Sequence, residues 1–235
     1  MPSHTVKSLA SLLFGGTCYL CRGAAPAESL LCPACDADLP RLCAPSCPRC
    51  ALASPGGEIC GRCLAHPPSY DATVAALSYR FPADVLLHAL KYRGELALAP
   101  LLAGLLATRV TPVERVDFLV PVPLSAGRLA QRGYNQATEI ARPLAALSGI
   151  ALAPQLCERA RDTPAQTGLP WAARARNVRG AFRCPRPLAG AAIAVLDDVM
   201  TTGATLEETA LALKRAGAAR VVNWVLARTP PPGDG

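Results

Sequence analysis

Ile193-Ala-Val-Leu-Asp197-Asp198-Val-Met-Thr201-Thr202-Gly203-Ala204-Thr205 is the stretch on which the reading of this chain turns. An apolar strand over Ala192–Leu196 delivers two adjacent carboxylates at its C-terminal end, the edge at which open α/β sheets bind their ligands. Seven residues rich in hydroxyls and small side chains follow. They lead into a helix over Leu206–Ala216, with Leu206, Ala210, Leu213 and Ala216 on one face and Gly217 just past its end. Such a loop aims several backbone N–H groups and threonine hydroxyls at one spot. The helix N-terminus adds positive potential there. A phosphate fits that spot, and carboxylates beside it accept hydrogen bonds from vicinal hydroxyls, so together they describe a sugar-phosphate site. An isolated Asp-Asp pair would read as a solvated turn, with Thr201 or Thr202 capping the helix. Strand, acidic pair, Thr-Thr-Gly-x-Thr and helix in that order is far more specific.

Working outward, further strands are predicted at Thr73–Tyr79, Phe118–Val122 and Val221–Leu226. Helices are predicted at Ala83–Lys91, ended by Gly94, and at Asn135–Ser148, with Pro143 as a kink point. Strands alternating with helices argue an α/β fold with a parallel sheet and right-handed crossovers over residues 67–229. Residues 1–66 are rich in Cys, Pro and Gly and form a second unit. The junction His66-Pro67-Pro68-Ser69 is a stiff breaker that suits a linker. Residues 230–235 are expected to be a disordered tail.

Two more segments belong to the same sheet edge. Phe118-Leu-Val-Pro121-Val122-Pro123-Leu124-Ser125 ends a strand, and Arg128 and Arg132 follow on one helix face, where they could clamp a diphosphate or form an exposed basic surface. From Cys157 to Arg186 there are seven arginines against Glu158 and Asp162. Residues 159–177, including Arg159, Arg161, Thr163, Gln166, Arg174, Arg176 and Asn177, have no clean periodicity. Unstructured segments of that length in a compact domain are usually functional. A lid, a solvated basic loop and a loop that touches nucleic-acid phosphates are the readings.

The Asp197–Thr205 stretch resembles the 5-phosphoribosyl-1-diphosphate (PRPP) motif of type I phosphoribosyltransferases. Pro-Val-Pro-Leu-x₃-Arg-x₃-Arg-Gly-Tyr-Asn-Gln over residues 121–136 resembles the signature of the competence protein F (ComF) family, a branch of that fold. The resemblance implies that Asp197 and Asp198 take the ribose hydroxyls and that Thr201, Thr202, Gly203, Ala204 and Thr205 take the 5′-phosphate. It places the diphosphate loop at Pro123, Leu124 and Ser125, with Arg128 and Arg132 beside it. Arg159 and Arg161 open the segment resembling the mobile loop that closes over PRPP and excludes water from a cationoid transition state. Mg²⁺ would accompany PRPP. The family is associated with natural transformation, the uptake and handling of single-stranded DNA. Two functions follow from different classes: a PRPP-binding phosphoribosyltransferase, and a non-catalytic adaptor that binds single-stranded DNA or the competence machinery.

Eight of the eleven cysteines form four Cys-x-x-Cys pairs: Cys18/Cys21, Cys32/Cys35, Cys47/Cys50 and Cys60/Cys63. Tetrahedral Zn–S₄ sites use such knuckles. The spacing resembles a double zinc ribbon, which implies sequential pairing into two closed, structural Cys₄ sites. Cys43 and His66 are spare near ligands, and Cys157 and Cys184 read as ordinary small residues. Eight thiolates with two Zn²⁺ lower the formal charge of +7 to about +3. Zinc thiolates imply a reducing compartment, hence the cytoplasm. The segment Lys7–Phe14 is too short for a secretion signal, and no Ala-x-Ala site follows.

Composition bounds the rest. With 235 residues, 51% hydrophobic and 17% charged, the chain can bury a core, and full disorder is excluded. The most apolar run, Leu96–Thr108, is too short to span a bilayer and contains Pro100, so no integral membrane segment is read. Of the 24 basic residues only Lys7, Lys91 and Lys214 are lysines, and the pI near 9.0 permits anionic partners.

Overall fold

The computed structural model of the chain describes residues 16–43, 45–110, 115–161 and 178–230. Expectations for residues 162–177 and 231–235 lie outside these. The N-terminal part carries a small hairpin, β1 (Gly16–Thr17) with β2 (Ala24–Ala25), then helix α1 (Pro33–Ala37) and helix α2 (Gly61–Ala65). Its two halves repeat one geometry. Cys18 and Cys47 each donate their N–H across a knuckle, to Gly23 and Leu52 carbonyls, both at 2.8 Å. Arg22 and Ala51, each just after the second cysteine of its knuckle, sit at φ +63° and +56°. A side chain in that region costs about 1–2 kcal/mol, a strain that a closed knuckle imposes.

The remainder builds a five-stranded parallel sheet from β3 (Ala72–Ser78), β4 (Phe118–Pro121), β5 (Ala151–Leu152), β8 (Ala192–Met200) and β9 (Arg220–Arg228), ordered β3-β9-β8-β4-β5. A separate antiparallel pair joins β6 (Glu158–Arg159) to β7 (Phe182–Arg183). The helices are α3 (Ala83–Tyr92), α4 (Leu98–Val110), α5 (Ala126–Arg132), α6 (Gln136–Ser148) and α7 (Ala204–Arg215). Side chains alternate along the central strands. Ala194, Leu196, Val222, Trp224 and Leu226 pack with α3, α4 and α6. Ile193, Val195, Val221 and Val225 pack with α7. Burial of both faces explains the nearly continuous apolar strands.

The predicted strands and helices all form, with shifted ends. Two differences matter for the site. Strand β8 does not stop at Leu196 but runs through Asp197 and Asp198 to Met200, because pairing with β9 continues to Met200↔Arg228. Strand β4 ends at Pro121 opposite Leu196, so β8 extends four residues beyond its neighbour and a crevice opens beside the acidic pair. Helix α4 was not expected; its sequence is apolar on every side and buries Leu98, Leu102 and Leu106 completely or nearly so.

The cysteine-rich part grips the free edge of the sheet. Ser78 and Thr73 N–H groups donate to the Pro40 and Pro48 carbonyls at 2.8 and 2.9 Å, and Leu42 N–H donates to Ala76 at 3.0 Å. Cys18, Ala25, Leu31 and Leu39 join the core on the α4 side, and Cys47, Cys50, Ala51 and Cys63 join the core on the α7 side.

Candidate functional site

A cavity of about 880 Å³ lies over the C-terminal end of the sheet. Its floor is Asp197–Thr202, its wall the start of α7, and its rim Pro123, Leu124, Arg128 and Arg132 on one side and Arg159 on another. Of the residues singled out from sequence, Ser125 and Arg161 stand apart. Ser125 is buried at the N-cap of α5, and exposed Arg161 donates to the Arg179 carbonyl. Neither is among the lining residues.

The acidic pair is asymmetric. Asp198 is buried, and its Oδ2 lies 2.8 Å from Lys91 Nζ. Burial works against the Asp198 carboxylate, but the Lys91 ammonium outweighs it and holds Asp198 below the usual carboxylate range. Lys91 is correspondingly raised; desolvation opposes its charge and Asp198 more than restores it. Among the described residues Asp197 makes no ion pair, and the nearby Lys91 charge only partly offsets its surroundings. Desolvation, then the adjacent Asp198 charge, push it well above the usual range. The pair is therefore split, one carboxyl held down by Lys91 and the other pushed up by burial and by its neighbour.

Sequence reading missed Lys91, along with the ring wall beside it. The Tyr92 and His88 rings lie 4.7 Å apart, and the Arg132 guanidinium stacks 5.4 Å over Tyr92. Arg132 also donates to Gln136, and Tyr134 donates its hydroxyl to the Leu90 carbonyl. Tyr134 and Gln136 belong to the 121–136 signature, whose pattern alone assigns them no role. The signal for Lys91 was its rarity, one of three lysines among 21 arginines. With Arg128, Arg132 and Arg159 around it, the cavity carries more positive than negative charge.

The Thr201–Thr205 loop is built to turn sharply. Gly203 sits at φ +84°, where an added Cβ would come within 2.7 Å of Met200 Cε and 3.3 Å of the Tyr70 hydroxyl. Thr202 Oγ1 accepts from Ala204 N–H at 3.1 Å, a turn bond just before the helix, while the N-cap itself is Gly203 and no threonine side chain caps α7. The loop leads into α7, whose first backbone bond runs from Glu207 N–H to the Gly203 carbonyl at 2.8 Å. Glu207 in turn accepts from Ser69 N–H and Oγ at 2.9 and 2.6 Å.

The cysteines form two tetrads, Cys18/Cys21/Cys32/Cys35 and Cys47/Cys50/Cys60/Cys63, with the sulfur atoms of each within 4.8 Å of one another. Two sulfur pairs, Cys21–Cys32 and Cys50–Cys60, lie 3.7 Å apart. A tetrahedron with metal–sulfur bonds of about 2.3 Å has an edge of about 3.8 Å. Both tetrads thus fit structural zinc. N–H donors from Cys21 and Cys32 hold the Cys18 thiol down at about 6. At Cys47 burial pushes up, but N–H donors from Cys60, Cys50 and Arg49 prevail and bring it to about 7. Burial and neighbouring sulfurs raise Cys35 and Cys63, so each tetrad needs a cation to ionise fully.

Fold and site define an α/β protein with a cation-lined cleft at the strand ends and a two-site cysteine ribbon clasping its sheet. Residues 9–64 match the family model of the double zinc ribbon domain. The chain is 38% identical to DNA utilization protein YhgH of Salmonella typhimurium, over 91% of this chain and 97% of that one. It is 30% identical to competence protein F of Haemophilus influenzae, over 92% and 98%. The chain belongs to the competence protein F (ComF) family. Among solved structures it is similar to glutamine PRPP amidotransferase from B. subtilis, at 22% identity and a TM-score of 0.37, over 55% of this chain and 26% of that chain. No helix among the described residues is long and apolar enough to cross a membrane.

Proposed function

We propose that the cleft binds PRPP or a related ribose 5-phosphate ligand, and that the chain is a phosphoribosyltransferase-like protein serving DNA uptake from the cytoplasm. The observation that carries this reading is the juxtaposition, in one cavity, of the Asp197–Asp198 pair with the Thr201–Thr205 loop and a cationic rim. Asp197 and Asp198 accept the vicinal ribose hydroxyls. The loop and the α7 N-terminus hold the 5′-phosphate. Lys91, Arg128 and Arg132 face the diphosphate, with Pro123 and Leu124 at its edge. The hard oxygens of the acidic pair suit Mg²⁺, which when bound with the ligand neutralises diphosphate charge.

On turnover, the bond from the ribose to diphosphate breaks and a nitrogen nucleophile takes its place. The chain's contribution is orientation and electrostatic stabilisation of the leaving diphosphate, with Arg128, Arg132 and Arg159 placed to supply it. Calorimetric titration of PRPP with Mg²⁺ into zinc-loaded protein tests the reading. Micromolar binding is expected, weakened at least about tenfold, or about 1.4 kcal/mol, in Lys91→Met. Absence of binding to folded protein refutes it.

A second reading, a non-catalytic adaptor for single-stranded DNA or a protein, draws on the relatives' names and on exposed rings. Phe81 and Tyr92 are 74% and 50% exposed, next to Arg80 and Arg93. Such rings can stack bases. Steeply salt-dependent DNA binding by folded protein that does not bind PRPP would favour it.

A further inference from the structure

The second tetrad and the Thr201–Thr205 loop are joined by two arginines, neither of which lines the cavity. Arg62 lies on α2, the short helix wound between Cys60 and Cys63, and its Nη2 donates to the Thr202 carbonyl at 2.8 Å. Arg228 ends β9 and is 2% exposed. Its Nε donates to the carbonyl of Cys50 at 2.8 Å. Its Nη1 donates to the Met200 and Thr229 carbonyls at 2.8 and 2.9 Å, and to the Thr201 carbonyl. Beneath the loop, the buried Tyr70 hydroxyl fills the space that a side chain at Gly203 would need.

These bonds fix which way the loop's peptide planes face. The carbonyls of Met200, Thr201 and Thr202 are all held by guanidinium groups outside the cavity. A trans peptide directs its N–H opposite to its C=O. Holding three successive carbonyls therefore turns the N–H groups of Thr201, Thr202 and Gly203 away from the arginines, the arrangement of an anion-binding nest. Both arginines are tied to the tetrad: Arg228, whose backbone is placed by the sheet, is anchored through Nε on a ligand's backbone oxygen, and Arg62 rides between two ligands. The first tetrad's segment bonds elsewhere, through Pro40 and Leu42 to the β3 edge.

We infer that the second tetrad is the support of the anion loop, and that Arg62 and Arg228 are positioning residues through which metal at Cys47/Cys50/Cys60/Cys63 and anion at Thr201–Thr205 stabilise each other. The inference rests on the reading of the loop as a phosphate site. Linkage is reciprocal, so whatever the metal adds to anion affinity the anion adds to metal retention. The first tetrad, by contrast, holds the sheet edge without this coupling.

The test uses the full zinc-loaded chain and Arg62→Ala, with zinc content checked at two per chain, and ribose 5-phosphate as the probe. Metal release to a coloured chelator is followed with and without the probe. In the wild type the probe should slow release of one of the two zinc ions about tenfold and leave the other unchanged. In Arg62→Ala that protection should vanish and affinity for the probe should fall about tenfold, a loss that a purely structural arginine would not link to metal release. Backbone amide exchange over residues 199–206 supplies a readout that needs no ligand, and it should quicken about tenfold in Arg62→Ala. If the wild type does not bind the probe, the phosphate reading fails while the exchange data still judge the support. Unchanged loop exchange, or probe binding that leaves the release of both zinc ions alone, overturns the inference.

Discussion

Replacing Asp198 with asparagine is expected to lower the Tm by about 4–8 °C, while the same change at adjacent Asp197 raises it by about 2–4 °C. The two carboxylates differ in what their charge meets. Removing the Asp198 charge leaves Lys91, with only 26% of its side chain exposed, without its 2.8 Å counter-ion. Breaking a buried pair from one side costs about 3–5 kcal/mol. Here the adjacent Asp197 still attracts the Lys91 ammonium, which softens the loss to about 2 kcal/mol, or about 2–4 °C per kcal/mol for a chain of this size. At Asp197 the charge is disfavoured from the outset by desolvation and by Asp198, so asparagine relieves the fold. The pH dependence follows with opposite signs. Asp197 is raised in the folded state, so the unfolded chain releases its proton first, and stability falls as pH climbs from the ordinary carboxylate value through the folded one. Asp198 is lowered, so its contribution is present above the ordinary value and disappears as pH falls through the folded one. Thermal melts of both variants between pH 4 and 8 decide the matter. Asp197→Asn should flatten the decline toward higher pH while abolishing ribose 5-phosphate binding; a lowered Tm at pH 8 would refute the account. In a double Asp197→Asn, Asp198→Asn variant the Asp198 cost remains, so removing both charges is expected to lower the Tm.

The Asp198–Lys91 pair marks the boundary between what is legible in the sequence and what is not. Motifs whose partners are near in the chain read directly. The cysteine tetrads need only knuckle spacing, and the strand–loop–helix around Asp197 is contiguous. The end of β8 does not read, because aspartates disfavour strands and the pairing that overrides them comes from Val225–Arg228, over twenty residues away. Helix α4 hides for the opposite reason: with no polar face there is no period to detect. Lys91 reaches Asp198 across more than a hundred residues, and their meeting depends on the order β3-β9-β8. The clasp of the cysteine ribbon on β3 is likewise invisible, since it uses backbone groups of Pro40, Leu42 and Pro48 that no side-chain pattern announces.

The same clasp predicts that a chain beginning at residue 67 will aggregate, although the sequence suggests a linker there. Strand β3, Ala-Thr-Val-Ala-Ala-Leu-Ser, is an uncharged edge. Its Thr73 and Ser78 N–H groups and its Ala76 carbonyl are bonded by the ribbon. Truncation frees all three and uncovers Leu77, now 1% exposed. An apolar edge with free backbone groups is a template for pairing with another chain. It also strips Arg228 of its Cys50 carbonyl, leaving a buried guanidinium short of a partner. Metal removal from the full chain should act by the same route, because zinc supplies the folding free energy of ribbons this small, apparent values being about 10–16 kcal/mol per site. Chelation at neutral pH is therefore expected to convert the native species into much larger ones, and zinc added before aggregation to restore it. Light scattering on size-exclusion eluates checks both arms. A monodisperse 67–235 fragment that melts as the full chain does would show that the ribbon is an independent module and that β3 needs no cover.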